Sequence, residues 1–172
     1  MRLLFIIDTK DYDINGTRYV RNSSRCINIK NGKVAMIYSQ KYNYYKFPGG
    51  GIEKNETIID ALVRETLEET GMKIVKESIK EFGYVHRIQK TNQYNADIFV
   101  QDNYYYLCDV YDDIVTQSLD EYESEEGFIL KYVEPIEAMR TNLFESFGLD
   151  NKIMLEREAK VLQMLLIEGY FM

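Results

Sequence analysis

Short apolar runs recur along the chain, and several alternate with polar positions as β-strands do. Between two of these runs, Asn31–Gly32 is a strong signal for a tight hairpin turn. The run within Asp97–Val110 is compatible with two strands or with one long strand bent at Asp102–Asn103. Strands are predicted at Leu3–Ile7, Arg21–Lys30, Lys33–Ser39, Met72–Val75, Lys80–Gln89, Asp97–Val110 and Phe128–Val133.

Apolar residues spaced three and four positions apart predict helices elsewhere. Thr57, with Asp60 three positions on, resembles the start of a capping box, and Gly71 suits a left-handed helix end. Pro135 would occupy the first position of a helix, where proline is tolerated. Helices are predicted from Thr57 to Gly71, at Ile136–Leu143 and at Lys152–Glu168, with a break at Phe147–Asn151 and polar loops at Gln40–Tyr45 and Asp112–Glu126.

Strands and helices are mixed along the chain without strict βαβ alternation. This order predicts an α/β (α+β) fold, in which helices pack on both sides of a mixed sheet. No internal repeat, low-complexity tract or linker interrupts the 172 residues, so a single domain over 1–172 is expected. Cys26 and Cys108 lie in apolar strand-like runs and are expected to be small buried side chains.

The charge balance limits the partners. The net charge is −7, from 28 acidic and 21 basic residues. This argues against non-specific binding to nucleic acid or an anionic membrane, so neither a stable nucleic acid complex nor membrane association is expected. No run approaches the roughly 18 apolar residues of a membrane span, and no signal-peptide pattern opens the chain, which favours a cytoplasmic location.

One predicted helix carries a concentration of negative charge. Glu65, Glu68 and Glu69 are spaced i, i+3 and i+4, so they share a helix face with neighbouring Cβ atoms about 5–6 Å apart. At an effective dielectric constant near 20, two like charges about 4 Å apart repel by roughly 4 kcal/mol. The spacing therefore predicts a bound counter-charge, and a divalent cation is the obvious candidate.

The stretch around these carboxylates resembles the Nudix box, G-x5-E-x7-R-E-U-x-E-E-x-G-U, where U is a bulky apolar residue. The fixed positions are filled by Gly50, Glu56, Arg64, Glu65, Glu68, Glu69 and Gly71, and the last U by Met72. Thr66 stands at the first U position, where the pattern has an apolar residue. Seven fixed residues with background frequencies of about 7% match by chance on the order of 10⁻⁸ per start position.

The resemblance implies a Nudix-type α/β/α sandwich whose box forms a loop–helix–loop metal site. It also implies hydrolysis of a nucleoside diphosphate linked to another group, with Mg²⁺ or Mn²⁺ as cofactor. Metal ligands would then be the carboxylates of Glu65, Glu68 and Glu69, with the carbonyl of Gly49 added. Glu56 and Arg64 would pair and orient these carboxylates, giving the catalytic set Glu56, Arg64, Glu65, Glu68 and Glu69.

The general base is less determined. A carboxylate from a later loop is the first expectation, and Asp120–Glu126 offers Glu121, Glu123, Glu125 and Glu126. Glu126 is taken as the candidate from this loop, with Glu68 and Glu69 as alternatives. Substrate contacts are expected at Gly50 and Gly51 and at Tyr45, because an aromatic face can stack on any base.

Substrate identity stays open in the sequence. The proline about fifteen residues beyond the box that favours ADP-ribose hydrolysis is absent, as are the arrays typical of NADH and coenzyme A enzymes. A small-molecule nucleoside triphosphate or modified nucleotide remains the default substrate. The alternative is a non-catalytic nucleotide-sensing module of the same fold; an isomerase would need a catalytic cysteine. A homodimer through Leu3–Ile7 or the final helix is a further expectation.

Overall fold

The computed structural model describes residues 1–148 and 151–172, which form two β-sheets and the helices around them. The strands are β1 (Leu3–Asp8), β2 (Arg18–Val20), β3 (Ser23–Ile27), β4 (Ile29–Lys30), β5 (Lys33–Ser39), β6 (Tyr44–Lys46), β7 (Gly49–Gly51), β8 (Lys80–Lys90), β9 (Ile98–Leu107) and β10 (Phe128–Val133). The helices are α1 (Ile58–Thr70), α2 (Glu121–Glu126), α3 (Pro135–Arg140) and α4 (Lys152–Ile167), with a 3₁₀ turn at Lys76–Ser78 and a π-helical turn at Thr141–Glu145.

The larger sheet has the strand order β1-β8-β9-β3-β7, with β2 also pairing with β9. Strands β1 and β8 run parallel, as do β3 and β9, whereas β8–β9 and β3–β7 are antiparallel. The smaller, antiparallel sheet has the order β10-β5-β4, with β6 beside β5. The predicted mixed sheet is therefore present, and a second sheet packs with it.

Helices cover both faces of the larger sheet. Successive residues of a strand point to opposite faces, and on β3 these are Cys26 and Ile27. Cys26 joins the core cluster that contains Leu62 of α1, while Ile27 joins the cluster that contains Leu162 of α4. This arrangement confirms the α/β/α sandwich. Cys26 and Cys108 are both buried and free, as expected.

Helix α1 begins and ends as its sequence predicts. The hydroxyl of Thr57 accepts a hydrogen bond from the backbone N–H of Asp60 at 3.1 Å, satisfying one of the free N–H groups of the first turn. At the other end Gly71 has φ +75°, and its N–H donates to the Leu67 carbonyl at 2.8 Å. These two local signals fix the length of the helix.

Some predicted elements are wrong. Met72–Val75 is not a strand, because only Ile74 pairs, in an isolated bridge with Val110. The hairpin at Asn31–Gly32 is formed by β4 and the start of β5 alone, since β3 turns away into the larger sheet. The Asp97–Val110 run contains one continuous strand without the bend.

Both predicted polar loops contain regular structure. The end of Gln40–Tyr45 forms β6, which pairs with Ile37–Ser39 of β5. The end of Asp112–Glu126 forms α2, which starts with a capping box between Asp120 and Glu123. The predicted break at Phe147–Asn151 includes residues 149 and 150, which lie outside the described residues.

Within residues 1–148 and 151–172, no helix combines the length and the apolar character needed to cross a lipid bilayer.

Candidate active site

A groove of about 1020 Å³ lies between α1, the glycine strand β7, β2 and the segment leading into α2. This volume is at the upper end of the range of small-molecule sites, about 300–1,000 Å³. Its charged lining residues are Arg21, Glu53, Lys54, Arg64, Glu65, Glu68, Asp120 and Glu123, and its aromatic ones are Tyr19 and Tyr104. Two of the three predicted metal-binding carboxylates therefore face one cavity.

The glycines of β7 allow a carboxylate to approach the backbone closely. A Cβ at Gly50 would lie 2.3–2.6 Å from the carboxylate atoms of Glu65. Gly49 has φ +133°, and a Cβ there would lie 2.1 Å from the carbonyl oxygen of Ser24 on the paired strand. Any side chain at either position would displace the strand or the carboxylate, so the sequence needs glycine at both.

Arg64 ties the loop after β7 to helix α1. Its Nε and Nη2 donate to the two carboxylate oxygens of Glu56 at 2.7 and 2.9 Å, and Nη2 also donates to the Gly51 carbonyl at 3.2 Å. Its Nη1 donates to Glu65 at 2.8 Å and to Glu68 at 3.1 Å. The hydrogen bonds from Arg64 lower the pKa of Glu56, which keeps the predicted pair charged.

Glu69 is separated from the other two carboxylates. Its side chain is 1% exposed, forms an ion pair with Lys46 Nζ and accepts a hydrogen bond from the Gly49 N–H at 2.8 Å. Burial raises the pKa of Glu69 to about 7, although Lys46 and Arg25 oppose that rise. Glu69 is not among the residues found to line the groove, and its carboxylate lies at the Gly49 end of the glycine strand instead.

The carbonyl of Gly49, the fourth predicted ligand, also has a cationic partner. Arg25 Nη1 donates to it and, at 3.4 Å, to the Phe47 carbonyl. Neither Arg25 nor Lys46 was predicted as a site residue. Both residues lie on strands and reach the site only through sheet pairing. Their spacing along the sequence therefore does not predict their position.

The donor set suits a divalent cation by its chemistry. Carboxylate and carbonyl oxygens are the ligands that Mg²⁺ and Mn²⁺ prefer. As the side chains stand, no group of three or more His, Cys, Asp or Glu in the described parts of the chain is placed to hold a metal ion. The oxygens of Gly49, Glu65 and Glu69 already accept hydrogen bonds from Arg25, Arg64 and Lys46, so a cation bound there would compete with these contacts.

The candidate general base changes with the structure. The Glu126 carboxylate accepts hydrogen bonds from Tyr44 Oη at 2.7 Å and Ser39 Oγ at 3.1 Å, and this residue is not among those found to line the groove. Of the four glutamates of the Asp120–Glu126 segment, Glu123 is the one found to line the groove, beside Asp120. It is buried and accepts the N–H of Asp120 at 2.9 Å. The choice of Glu126 is therefore corrected to Glu123, because α2 turns Glu123 inward.

Tyr45 is also misplaced by the prediction. Its side chain is buried in the main core cluster, with its ring centroid 4.9 Å from that of Tyr38, and burial raises its pKa to about 12. A ring held this way cannot stack on a ligand in the groove. The aromatic rings that do line the groove are Tyr19 and Tyr104, on strands β2 and β9.

Known proteins resemble this chain in sequence and in fold. A family model described as the NUDIX domain matches residues 21–150. An 8-oxo-dGTP diphosphatase of Buchnera aphidicola is 38% identical over 61 residues, and the Nudix hydrolase YvcI of Bacillus subtilis is 29% identical over 62 residues. Each alignment covers 36% of this chain, and they span 48% and 39% of those proteins, less than half of either.

A solved structure gives the fold. The MutT mutator protein from Bacillus halodurans superimposes with a TM-score of 0.56 at 17% identity, covering 79% of this chain and 80% of that one. At this identity the likeness concerns the fold alone.

Proposed function

The chain belongs to the NUDIX domain family, and on that premise we propose that it is a pyrophosphohydrolase dependent on Mg²⁺ or Mn²⁺. Its substrate would be a nucleoside diphosphate linked to another group, with a nucleoside triphosphate or a modified nucleotide as the default. One observation carries the proposal: Glu65 and Glu68, oriented by the Glu56–Arg64 pair, line a groove large enough for a nucleotide.

The proposed roles follow from position. Glu65 and Glu68, with Glu69 and the Gly49 carbonyl, would hold the cation. A cation bound there neutralises phosphate charge and lowers the pKa of a coordinated water. Glu123, which lines the same groove, would accept a proton from an attacking water.

The remaining groove residues suit a nucleotide. Arg21 and Lys54 supply positive charge for phosphates. The ring of Tyr19 or Tyr104 can take the nucleoside, because aromatic–base stacking tolerates any base. Of the two glycines predicted to contact substrate, Gly51 borders the groove, whereas the space over Gly50 holds the Glu65 carboxylate.

The test is a hydrolysis panel. The protein is incubated with Mg²⁺ or Mn²⁺ and nucleoside triphosphates, modified nucleotides and nucleoside diphosphate derivatives, and release of phosphate and pyrophosphate is followed. Glu65→Gln should lower the rate by at least about a hundredfold, the scale for losing one group that stabilises transition-state charge. Glu77→Gln, an exposed carboxylate of the 3₁₀ turn, is the matched control and should leave the rate unchanged.

The alternative is a nucleotide-sensing module of the same fold. It predicts that nucleotides bind while none is hydrolysed. Turnover that Glu65→Gln does not reduce would contradict the assigned site, provided that the variant melts at the wild-type temperature.

A further inference from the structure

A second, smaller cavity of about 170 Å³ also borders the glycine strand, and neither Glu65 nor Glu68 is among the residues found to line it. Its polar lining consists of Arg21, Arg25, Lys46 and Gln101 with the glycines of β7, and its aromatic lining of Tyr94, Phe99 and Tyr122. Among the described residues that line it, none is acidic. Arg21 and Gly51 border both this pocket and the groove, so the two cavities adjoin.

The three cations of the pocket are held near the glycine strand in different ways. The guanidinium of exposed Arg21 lies against Gly51, where an added Cβ would be 2.7 Å from Nε. Arg25 has a buried Nε with no hydrogen-bond partner in the described part of the chain. The side chain of Lys46 is 8% exposed, and its Nζ also lies 4.8 Å from the ring centre of Phe128.

Size and charge point to the same class of ligand. Pockets that take a whole small molecule usually measure about 300–1,000 Å³, so a pocket of 170 Å³ suits one chemical group. Convergent arginine and lysine side chains make strong, charge-assisted hydrogen bonds to phosphate oxygens. Arg25 also has an Nε without a hydrogen-bond partner in the described part of the chain, so its guanidinium is not fully satisfied by its present contacts.

The present partners of two cations connect the pocket to the cation site. Arg25 holds the Gly49 carbonyl and Lys46 holds the Glu69 carboxylate, which are two of the oxygens assigned above to the divalent cation. If a cation took those oxygens, buried Lys46 would lose its carboxylate partner, and half-buried Arg25 would keep only its 3.4 Å contact with the Phe47 carbonyl. A buried charge left unpaired is strongly unfavourable, and a phosphate in the pocket would replace the lost partner.

We propose that this pocket binds a terminal phosphate of the substrate, and that Arg25 and Lys46 exchange the Gly49 and Glu69 oxygens for that phosphate when the divalent cation binds. The inference rests on the proposed function. It favours substrates that end in a free phosphate over those whose distal phosphate carries a sugar. It also makes cation binding and phosphate binding mutually reinforcing, since each removes an obstacle to the other.

The first measurement is calorimetric titration with inorganic pyrophosphate in the presence of Mg²⁺. Lys46→Met and Arg21→Met each remove one charge from the pocket and should weaken binding by at least about tenfold, the scale for losing one charged hydrogen bond. Lys76→Met removes an exposed charge from the 3₁₀ turn and should change nothing. Lys46→Arg should restore most of the affinity.

The second measurement separates the exchange from a merely structural role. Binding of Mn²⁺ alone, followed by electron paramagnetic resonance, should become several-fold tighter in Lys46→Met, because the ammonium no longer competes for Glu69. Arg21→Met should leave Mn²⁺ affinity unchanged, since Arg21 holds none of the predicted ligands. Removal of a purely structural lysine would weaken the binding of both ligands.

The outcomes decide between the possibilities. Unchanged pyrophosphate affinity in Lys46→Met and Arg21→Met would overturn the phosphate pocket and leave the aromatic rings as a base-binding site. Unchanged or weaker Mn²⁺ binding in folded Lys46→Met would overturn the exchange. If Lys46→Met does not fold, Gln101→Leu decides the pocket, because Gln101 lines the pocket and is not among the residues found to line the groove; unchanged pyrophosphate affinity in that variant would overturn the pocket. The pocket and the enzyme can also fail separately. If the variants lose pyrophosphate binding but the wild-type protein hydrolyses nothing in the panel, the proposed enzyme activity is refuted while the pocket stands.

Discussion

A buried ion pair in α4 supports the segment that leads into the glycine strand. Arg157 and Glu158 are 2% and 0% exposed, and Arg157 Nη2 lies 2.8 Å from the Glu158 carboxylate. That carboxylate also accepts the Phe47 N–H at 2.6 Å and Tyr105 Oη at 3.0 Å. Because Phe47 lies two residues before Gly49, the pair fixes the backbone of the site from behind.

Arg157→Met should be strongly destabilising. Methionine fills much of the volume but leaves the Glu158 charge buried, and Asn103 Oδ1 loses one of its two donors, keeping only Ser23 Oγ. Breaking a buried pair by removing one partner costs about 3–5 kcal/mol. A domain of this size is stable by about 5–15 kcal/mol, and its melting temperature falls by about 2–4 °C per kcal/mol. The expected shift is therefore about 6–20 °C.

The loss should depend on pH. Burial alone would raise the pKa of Glu158, but Arg157, Arg25 and the Phe47 N–H together hold it below the ordinary value of 4.5. A carboxylate with a lowered pKa stabilises the fold above its unfolded pKa, and this contribution disappears as the pH falls through the folded pKa. The difference between wild type and Arg157→Met should thus be largest near neutral pH and shrink below about 4.5.

Urea unfolding followed by circular dichroism at several pH values measures the loss of unfolding free energy in Arg157→Met and its dependence on pH. The matched control is Arg140→Met, which breaks the exposed pair with Glu145 and should cost at most about 1 kcal/mol. A loss in Arg157→Met no larger than that of the control, or one independent of pH, would refute the assignment of the pair as a buried anchor.

The active-site assignment gives further predictions. Gly50→Ala places a methyl group against the Glu65 carboxylate, so steady-state hydrolysis should fall by at least about tenfold; an unchanged rate would show that the carboxylate need not lie there. Glu123→Gln should lower the rate by about 10²–10⁴-fold, the range for general-base catalysis. Glu126→Gln should affect mainly stability, because its partners are Tyr44 and Ser39. If Glu126→Gln lowered the hydrolysis rate more than Glu123→Gln does, Glu126 would again be the candidate base.

The parts of the site that the sequence predicts are those set by local chemistry. Thr57 and Gly71 delimit α1 through contacts within four residues, and the Glu56–Arg64 pair closes within one loop and two helical turns. Such contacts depend on spacing alone. The layered fold was predictable in the same way, since the strands and helices are periodic enough to identify without knowing how they pair.

The rest of the site depends on contacts between distant strands. Arg25 meets Gly49 because β3 pairs with β7, and Lys46 reaches Glu69 only from the short strand β6. A strand of three residues, Tyr44–Lys46, shows too little alternation to distinguish it from an aromatic loop. The sequence therefore favours a substrate contact for Tyr45, whereas the structure buries its ring in the core. Helix α2 is only six residues long, too short for its periodicity to show in the sequence, so the sequence could not indicate that Glu123 is its buried carboxylate.

The repulsion among Glu65, Glu68 and Glu69 suggested a metal ion as the missing counter-charge, and the structure answers it differently. Arg64 donates to the first two carboxylates as well as to Glu56, so its single charge only partly offsets them, while Lys46 pairs with the third. A divalent cation is then a competitor for these oxygens rather than a requirement for folding. Under the proposed function, cation affinity is set by how readily Arg64 and Lys46 release their carboxylates, and a phosphate that gives Lys46 a new partner makes that release easier.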